Sequence, residues 1–217
     1  MSGSLVLLSG GIDSATALFL EMEHAERVAT LSINYHKRNP REAEAARRIA
    51  RAADVRECLE TDLMFLREAM DLDDEIKREL IDLGVPLTYI PLRNLIFYSI
   101  GLYYAYVLRL DRVVIGHVAE DYSTFPDVSS LNLDALNEIA SRMTPWRKLR
   151  VYAPLLGMSK EDVVKVAIEL KVPLGLTWSC WLEGERHCGE CLGCLKRREV
   201  FAKVGFSDPT EYGKSSP

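Results

Sequence analysis

Four of the five cysteines crowd into one stretch, Cys180-x7-Cys188-x2-Cys191-x2-Cys194, with Gly189 and Gly193 between them. Four thiolates at this spacing complete a tetrahedral shell around Zn²⁺ and leave no position open for water, so the chemistry implied is structural rather than catalytic. An iron–sulfur cluster satisfies the same four sulfurs, and disulfides or redox thiols are the remaining readings. His187 abuts Cys188 and could replace a thiolate, but the four sulfurs fill the shell without it. The fifth, Cys58, ends a predicted strand and is expected in the core.

Near the amino terminus stands Ser9-Gly10-Gly11-Ile12-Asp13-Ser14. Two glycines let backbone approach a ligand closely, two serines supply hydroxyls, and a helix start adds free amides and partial positive charge. Together they form a cradle for phosphate oxygens. The segment is neither G-x-x-x-x-G-K-[ST] nor G-x-G-x-x-G, so it lacks the fingerprints of the P-loop and of dinucleotide binding. Gly213-Lys214-Ser215 imitates the end of the first pattern, but it follows no strand and has Asp208 where the first glycine belongs. The plainer reading of the serine-glycine segment is a strand-to-helix turn capped by Asp13.

These residues need elements to hold them, and the hydrophobic pattern supplies an alternating series. Strands are expected at Ser4–Leu8, Arg27–Asn34, Val55–Leu59, Arg112–Gly116 and Val151–Ala153. Helices are expected at Asp13–Met22, Pro40–Ala53 with proline in its first turn, Asn94–Leu108, Leu131–Arg142, and Ser159–Leu170 capped by Ser159. Asp62–Leu83, with Asp71, Asp73, Asp74 and Glu75, is expected to be a solvated helical excursion. Alternation of this kind predicts an α/β fold, a doubly wound, mostly parallel sheet flanked by helices. We expect residues 1–175 to form that domain and 176–217 a small zinc-binding lobe. The segments after the strands, Ser9–Ser14, Asn34–Arg38 and His117–Asp127, should then face one crevice.

Composition narrows the function classes. The 217 residues are 48% hydrophobic and 27% charged, ordinary for a globular chain with a real core. A formal charge of −5 makes nucleic acid an unlikely partner. The longest apolar run, Leu95–Leu108, is too short to cross a bilayer, which needs roughly 20 residues, and no basic, leader-like start precedes an apolar segment. We therefore expect a cytoplasmic protein without a membrane partner.

The serine-glycine loop resembles the pyrophosphate loop of ATP pyrophosphatases, the group of GMP synthetase, asparagine synthetase and tRNA-thiolating enzymes. The resemblance implies an adenine nucleotide alpha hydrolase-like fold in which Ser9, Gly10, Gly11, Asp13 and Ser14 hold the phosphates of ATP, with Asp13 helping to bind Mg²⁺. Within that group the chain is similar, over nearly its whole length, to the 7-cyano-7-deazaguanine synthase family. The likeness is carried by Ser9–Ser14, Tyr35-His36-Lys37-Arg38, Pro91-Leu92-Arg93-Asn94, Asp121-Tyr122-Ser123 with Pro126-Asp127, and Thr177-Trp178-Ser179-Cys180 leading into the cysteine cluster.

What the resemblance implies is adenylation of a carboxylate, 7-carboxy-7-deazaguanine, displacement by ammonia to an amide, and a second activation that dehydrates the amide to a nitrile. Such chemistry asks for anion clamps and orientation, not a nucleophile. Asp13, Arg93 and Asp121 would be the catalytic residues, and Tyr35, Lys37 and Arg38 would join the loop around the nucleotide. Arg93, Asn94, Tyr122, Ser123 and Asp127 would hold the acid, Arg93 as a bidentate donor and Tyr122 by stacking. For Lys37 and Arg38 the plainer reading is loop surface charge, for Asn94 a helix cap, and for Asp121–Asp127 an Asp/Ser/Pro turn. Trp178 and Trp181 are expected to pack the zinc lobe. One Zn²⁺ per chain and a homodimer, frequent in the family, complete the implied picture.

The chain departs from the family in two places. Val128-Ser129-Ser130-Leu131-Asn132 stands where the family continues with Cys-Arg-Pro-Glu-Phe, and Lys37 replaces a usual glutamine. Relatives with another acceptor, with another amine, or stopping at the amide therefore stay open. So do a tRNA-thiolating pyrophosphatase, which predicts a basic surface and a catalytic cysteine outside the cluster, and a nucleotide-binding module without turnover.

Overall fold

The computed structural model describes residues 3–66, 68, 74–82, 89–124 and 127–213. In chain order the elements are β1 (Gly3–Leu7), α1 (Ile12–Met22), β2 (Arg27–Tyr35), α2 (Pro40–Ala52), β3 (Glu57–Leu63), α3 (Asp74–Asp82) and α4 (Arg93–Val107). They continue as β4 (Arg112–Val114), α5 (Ala119–Thr124), α6 (Ser130–Met143), β5 (Arg150–Tyr152), α7 (Lys160–Glu169), a 3₁₀ turn (Leu174–Leu176) and α8 (Leu192–Val204). All strands pair in parallel, in the order β3-β2-β1-β4-β5. This is the expected doubly wound architecture.

The chain winds from β1 outward to β3, then crosses to the other side of β1 for β4 and β5. The loops leaving β1 and β4 therefore part at a switch point, where open parallel sheets place their ligand crevice. Period-2 alternation puts Leu5 of β1 in one core cluster with Leu31, Tyr98 and Val113, and Val6 in the other with Leu18, Ile49 and Phe201. Both faces are covered, as an all-parallel sheet requires. Asn39 caps α2 by accepting from Arg41 N at 3.0 Å, with Pro40 at the first helical position, and Ser159 caps α7 by accepting from Asp162 N.

Several expectations change. Strand β3 runs on to Leu63, so Asp62 and Leu63 belong to the sheet and not to a helical excursion. It is an edge strand whose residues alternate between half-buried and exposed, and Cys58 falls on the exposed positions, its thiol donating to Val55 O at 3.3 Å. The core placement expected for it fails because an edge strand has only one covered face. Asp71, Asp73, Leu83, Pro126, Lys214 and Ser215 lie outside the described residues.

Helices α5 and α8 were not expected. The glycine- and cysteine-rich approach to α8 masks its pattern, yet Phe201 is buried in the main core and α8 packs against α7. The terminal segment thus contributes to the core of the sheet domain. Among the described residues no helix is long and apolar enough to cross a membrane.

Candidate functional site

The β1 loop is tied into a compact turn by its own side chains. The Ser9 and Ser14 hydroxyls lie 2.9 Å apart, Ser9 N donates to Ser14 Oγ at 3.2 Å, and Ser14 Oγ donates to Gly11 O at 3.2 Å. Gly10 has φ +98°, and a Cβ there would sit 2.2 Å from Glu42 O, so only glycine lets α2 approach this closely. From the other side Gly116, just after β4, touches the loop: a Cβ would meet Ser14 N at 2.7 Å. The two segments that part at the switch point are pressed together at its floor. Beside them opens a cavity of about 280 Å³, lined by Ser9, Asp13, Ser14, Tyr35, Arg93 and Tyr98 among others.

Asp13 lies within the first turn of α1, whose N-cap is Gly11, so the cap expected of it is not made. Its carboxylate instead meets Lys160 Nζ at 2.5 Å. Burial pushes the Asp13 carboxyl above its ordinary value against the pull of Lys160, and the charge on Asp121 adds to the rise. Burial opposes the charge on Lys160, but Asp13, Asp121 and Glu120 outweigh it and hold the ammonium above its ordinary value. Asp121 accepts from Val118 N at 3.1 Å and faces His117 Nδ1 at 3.4 Å. Burial would raise its pKa, but the His117 contact and the charge of Lys160 keep it below the ordinary value. Two carboxylates and one ammonium thus share a semi-enclosed corner beside the loop.

Arg38 reaches the cavity wall, but its guanidinium is committed to the protein. Nη1 donates to Ile33 O, Asn34 Oδ1 and Ser32 Oγ, Nη2 donates to Ser9 O at 2.7 Å, and Nε faces Glu42 at 3.5 Å. It clamps the loop to β2, and is neither the free surface charge nor the free phosphate ligand that the sequence allowed. Lys37 takes a left-handed turn conformation, φ 59°, and is not among the residues lining the cavity. Tyr35 lines it and packs against Phe97, ring centroids 5.9 Å apart.

Arg93 is the first residue of α4 and lines the cavity. Asn94 is not a cap, because the left-handed Leu92 holds that position; it is buried and also lines the cavity. Both oxygens of Asp127 are shielded from solvent and have no hydrogen-bond partner among the described residues, and neither has the Tyr98 hydroxyl. Tyr122 and Ser123 belong to α5, and their side chains lie outside the described residues.

All five cysteines are free thiols, so the disulfide reading does not apply. The sulfurs of Cys180, Cys188, Cys191 and Cys194 lie within 4.8 Å of one another and form a group that could hold a metal ion. Cys180 to Cys191 and Cys188 to Cys194 are each 3.8 Å, the edge of a tetrahedron whose centre is about 2.3 Å from each sulfur, the zinc–thiolate distance. Backbone N–H groups of Cys191 and Glu190 donate to the Cys188 sulfur and pull that thiol down to about 6.

His187 stays outside the group. Its Nε2 accepts from Ser179 N at 3.0 Å, and its ring packs against Trp178, centroids 4.2 Å apart. Trp181 packs on the surface of the cysteine segment as expected: it is partly exposed, and a Cβ at Gly193 would sit 3.0 Å from its ring. The cysteine segment also touches the β1 loop, where Trp178 N donates to Gly10 O at 2.8 Å, and the cap of α2, where Asn39 Nδ2 donates to Cys180 O and Leu182 O.

The model of the family "Queuosine biosynthesis protein QueC" matches residues 3–205. The chain belongs to the QueC family. It is 36% identical over 215 residues to 7-cyano-7-deazaguanine synthase of Oceanobacillus iheyensis, covering 96% of this chain and 97% of that protein. It is also 36% identical to the synthase of the same name from Thermoplasma volcanium, covering 97% of this chain and 91% of that one. Among solved structures, a predicted subunit of tRNA methyltransferase from Methanocaldococcus jannaschii superposes with TM-score 0.55 at 14% identity, covering 100% of this chain and 94% of that chain. That last likeness concerns the fold alone.

Sequence reasoning missed Lys160, 147 positions from Asp13 in this QueC-family chain. One signal was available: a lysine at the first position of a helix opposes the helix dipole, which favours anions there. Tyr98 was missed because an apolar helix hides a tyrosine among core residues. The departing segment also has a local explanation, since Val128 is buried and Ser129 caps α6 by accepting from Asn132 N at 3.0 Å.

Proposed function

We propose that the chain is an ATP-dependent C–N ligase that converts 7-carboxy-7-deazaguanine to 7-cyano-7-deazaguanine, using ammonia, on the route to queuosine or archaeosine. The observation that carries the reading is the contact of the Ser9–Ser14 turn with Gly116 at the switch point, beside the corner of Asp13, Asp121 and Lys160. Membership of the QueC family and the printed name of its relatives support the substrate.

In this reading Ser9, Ser14 and the amides at the start of α1 bind the β- and γ-phosphates of ATP and leave the α-phosphorus facing the cavity. Lys160 neutralises charge that develops as pyrophosphate departs. Asp13 and Asp121, two carboxylates opposed by a single ammonium, fit a divalent cation with oxygen preference, and Asp13 is the residue that would hold Mg²⁺, which shields phosphate charge when bound. Arg93 orients the acid as a bidentate donor. The carboxylate attacks the α-phosphorus of ATP and releases pyrophosphate, and ammonia displaces AMP from the acyl-adenylate to give the amide with loss of a proton. A second ATP adenylates the amide oxygen, releasing pyrophosphate, so that AMP departs with that oxygen and two amide protons are lost to leave the nitrile. Asp127 accepts N–H groups of the deazapurine. Cys180, Cys188, Cys191 and Cys194 hold a structural Zn²⁺, for which their sulfur separations fit. Free thiols suit a reducing compartment, the cytoplasm.

A second reading within the family follows from Val128 and Ser129, whose roles in core and cap leave the base fewer polar readers: another carboxylate, or a reaction ending at the amide. The experiment is to incubate the protein with Mg-ATP, ammonium and 7-carboxy-7-deazaguanine while following AMP and product mass. AMP with nitrile is expected. Amide alone moves the assignment to the second reading, and absence of AMP with this acid removes the deazapurine.

A further inference from the structure

Tyr98 sits one helical turn after Asn94, so the two side chains share a face of α4, and both line the cavity. The phenol ring belongs to the core cluster around Leu31 and Val113, and it meets the His117 ring edge-on with centroids 6.1 Å apart. Phenylalanine would satisfy all of that packing. The hydroxyl is the anomaly: it is buried, on a residue 5% exposed, and makes no hydrogen bond among the described residues. Buried polar atoms without a partner cost stability, and native chains keep few of them.

Both Asp127 oxygens are orphaned in the same way among the described residues, although Asp127 does not line the cavity. Burial, with Asp127 adding to it and Arg93 opposing, raises the phenol, so the hydroxyl remains a donor at neutral pH. A buried donor left open on the cavity complements an acceptor on the ligand, and the lactam oxygen of a deazapurine is such an acceptor.

We infer that Tyr98 is a specificity-determining residue, whose hydroxyl donates to the lactam oxygen of a guanine-like substrate. The inference rests on the deazapurine reading of the site. Discrimination of this kind is strong because a ligand lacking the oxygen leaves the buried hydroxyl unpaired.

The test is Tyr98→Phe, measured by the melting temperature of the free protein and by calorimetric affinity for 7-carboxy-7-deazaguanine, for its analogue without the lactam oxygen, and for ATP. The variant should melt at the same temperature as wild type or higher and bind the acid about tenfold to a hundredfold more weakly. Its affinities for the analogue and for ATP should match wild type within about twofold. A merely structural hydroxyl predicts the reverse, a lower melting temperature with unchanged affinity for the acid, and that result overturns the inference. Equal affinity of both proteins for the acid also overturns it while leaving the functional reading intact. A wild-type protein that fails to bind the acid removes the functional reading, and Tyr98's role with it.

Discussion

The crevice at the switch point and the region around α8 both bury charged side chains, and they satisfy them differently. Near α8, Arg197 is 3% exposed and every nitrogen of its guanidinium has a partner: Nε faces both oxygens of Asp208 at 3.1 Å, Nη1 donates to Thr177 Oγ1 and Ser179 Oγ, and Nη2 donates to Leu174 O. Asp208 also accepts from Tyr212 at 2.6 Å. In the crevice Asp13 has one side-chain partner and Tyr98 has none among the described residues. Of the four orphaned side-chain atoms among the described residues, three belong to Tyr98 and Asp127. Saturated networks fix a fold, whereas polar groups left open keep their binding capacity for a ligand.

The contrast breaks first at Arg197. Arg197→Ala strands the Asp208 carboxylate and removes the cation over Phe201, so it should destabilise by about 3–5 kcal/mol, a fall on the order of 10 °C in melting temperature; a shift under about 2 °C would mean the network contributes little. Burial works against the Asp208 charge, but Tyr212 and Arg197 outweigh it and hold the carboxyl below its ordinary value. Its contribution is therefore present above the unfolded carboxyl value and lost as pH falls through the lower folded one, which acid melts of wild type and Asp208→Asn would separate.

Asp13→Asn should act on the opposite quantity. Pyrophosphate release should drop by about 10²–10³-fold, while the melting temperature moves little because a carboxylate whose charge is disfavoured by burial has been removed. Normal turnover would exclude Asp13 from the chemistry.

A smaller effect is expected at Lys160. Because Lys160 lowers the Asp13 pKa, Lys160→Met should let it rise further, so the acid limb of the pH profile of pyrophosphate release should move to higher pH. An unmoved limb would mean that Asp13 does not govern it. Cys58→Ser should change neither melting temperature nor turnover measurably, as befits an exposed side chain on an edge strand; loss of turnover would revive a sulfur-transfer role.

Much of this was legible beforehand. Period-2 and helical patterning located all five strands, and Asn39-Pro40 and Ser159 marked helix starts because capping is a local interaction between residues two or three apart. The cysteine cluster was equally plain, since its ligands are close in sequence. The limit of β3, the exposure of Cys58 and the burial of α8 were not, because each depends on what packs against the element.

The sequence alone determined the parallel α/β order, the glycine-serine turn that opens α1 and the four-sulfur group, all carried by local patterning and spacing. Only the tertiary structure decided that Lys160 answers Asp13, that Arg38 clamps the loop, that Gly116 presses on Ser14, and that Tyr98 and Asp127 go unpaired. Those relations depend on which strand crosses to which side of β1 and on what remains within reach once the core has closed, and neither is written in any local stretch of chain.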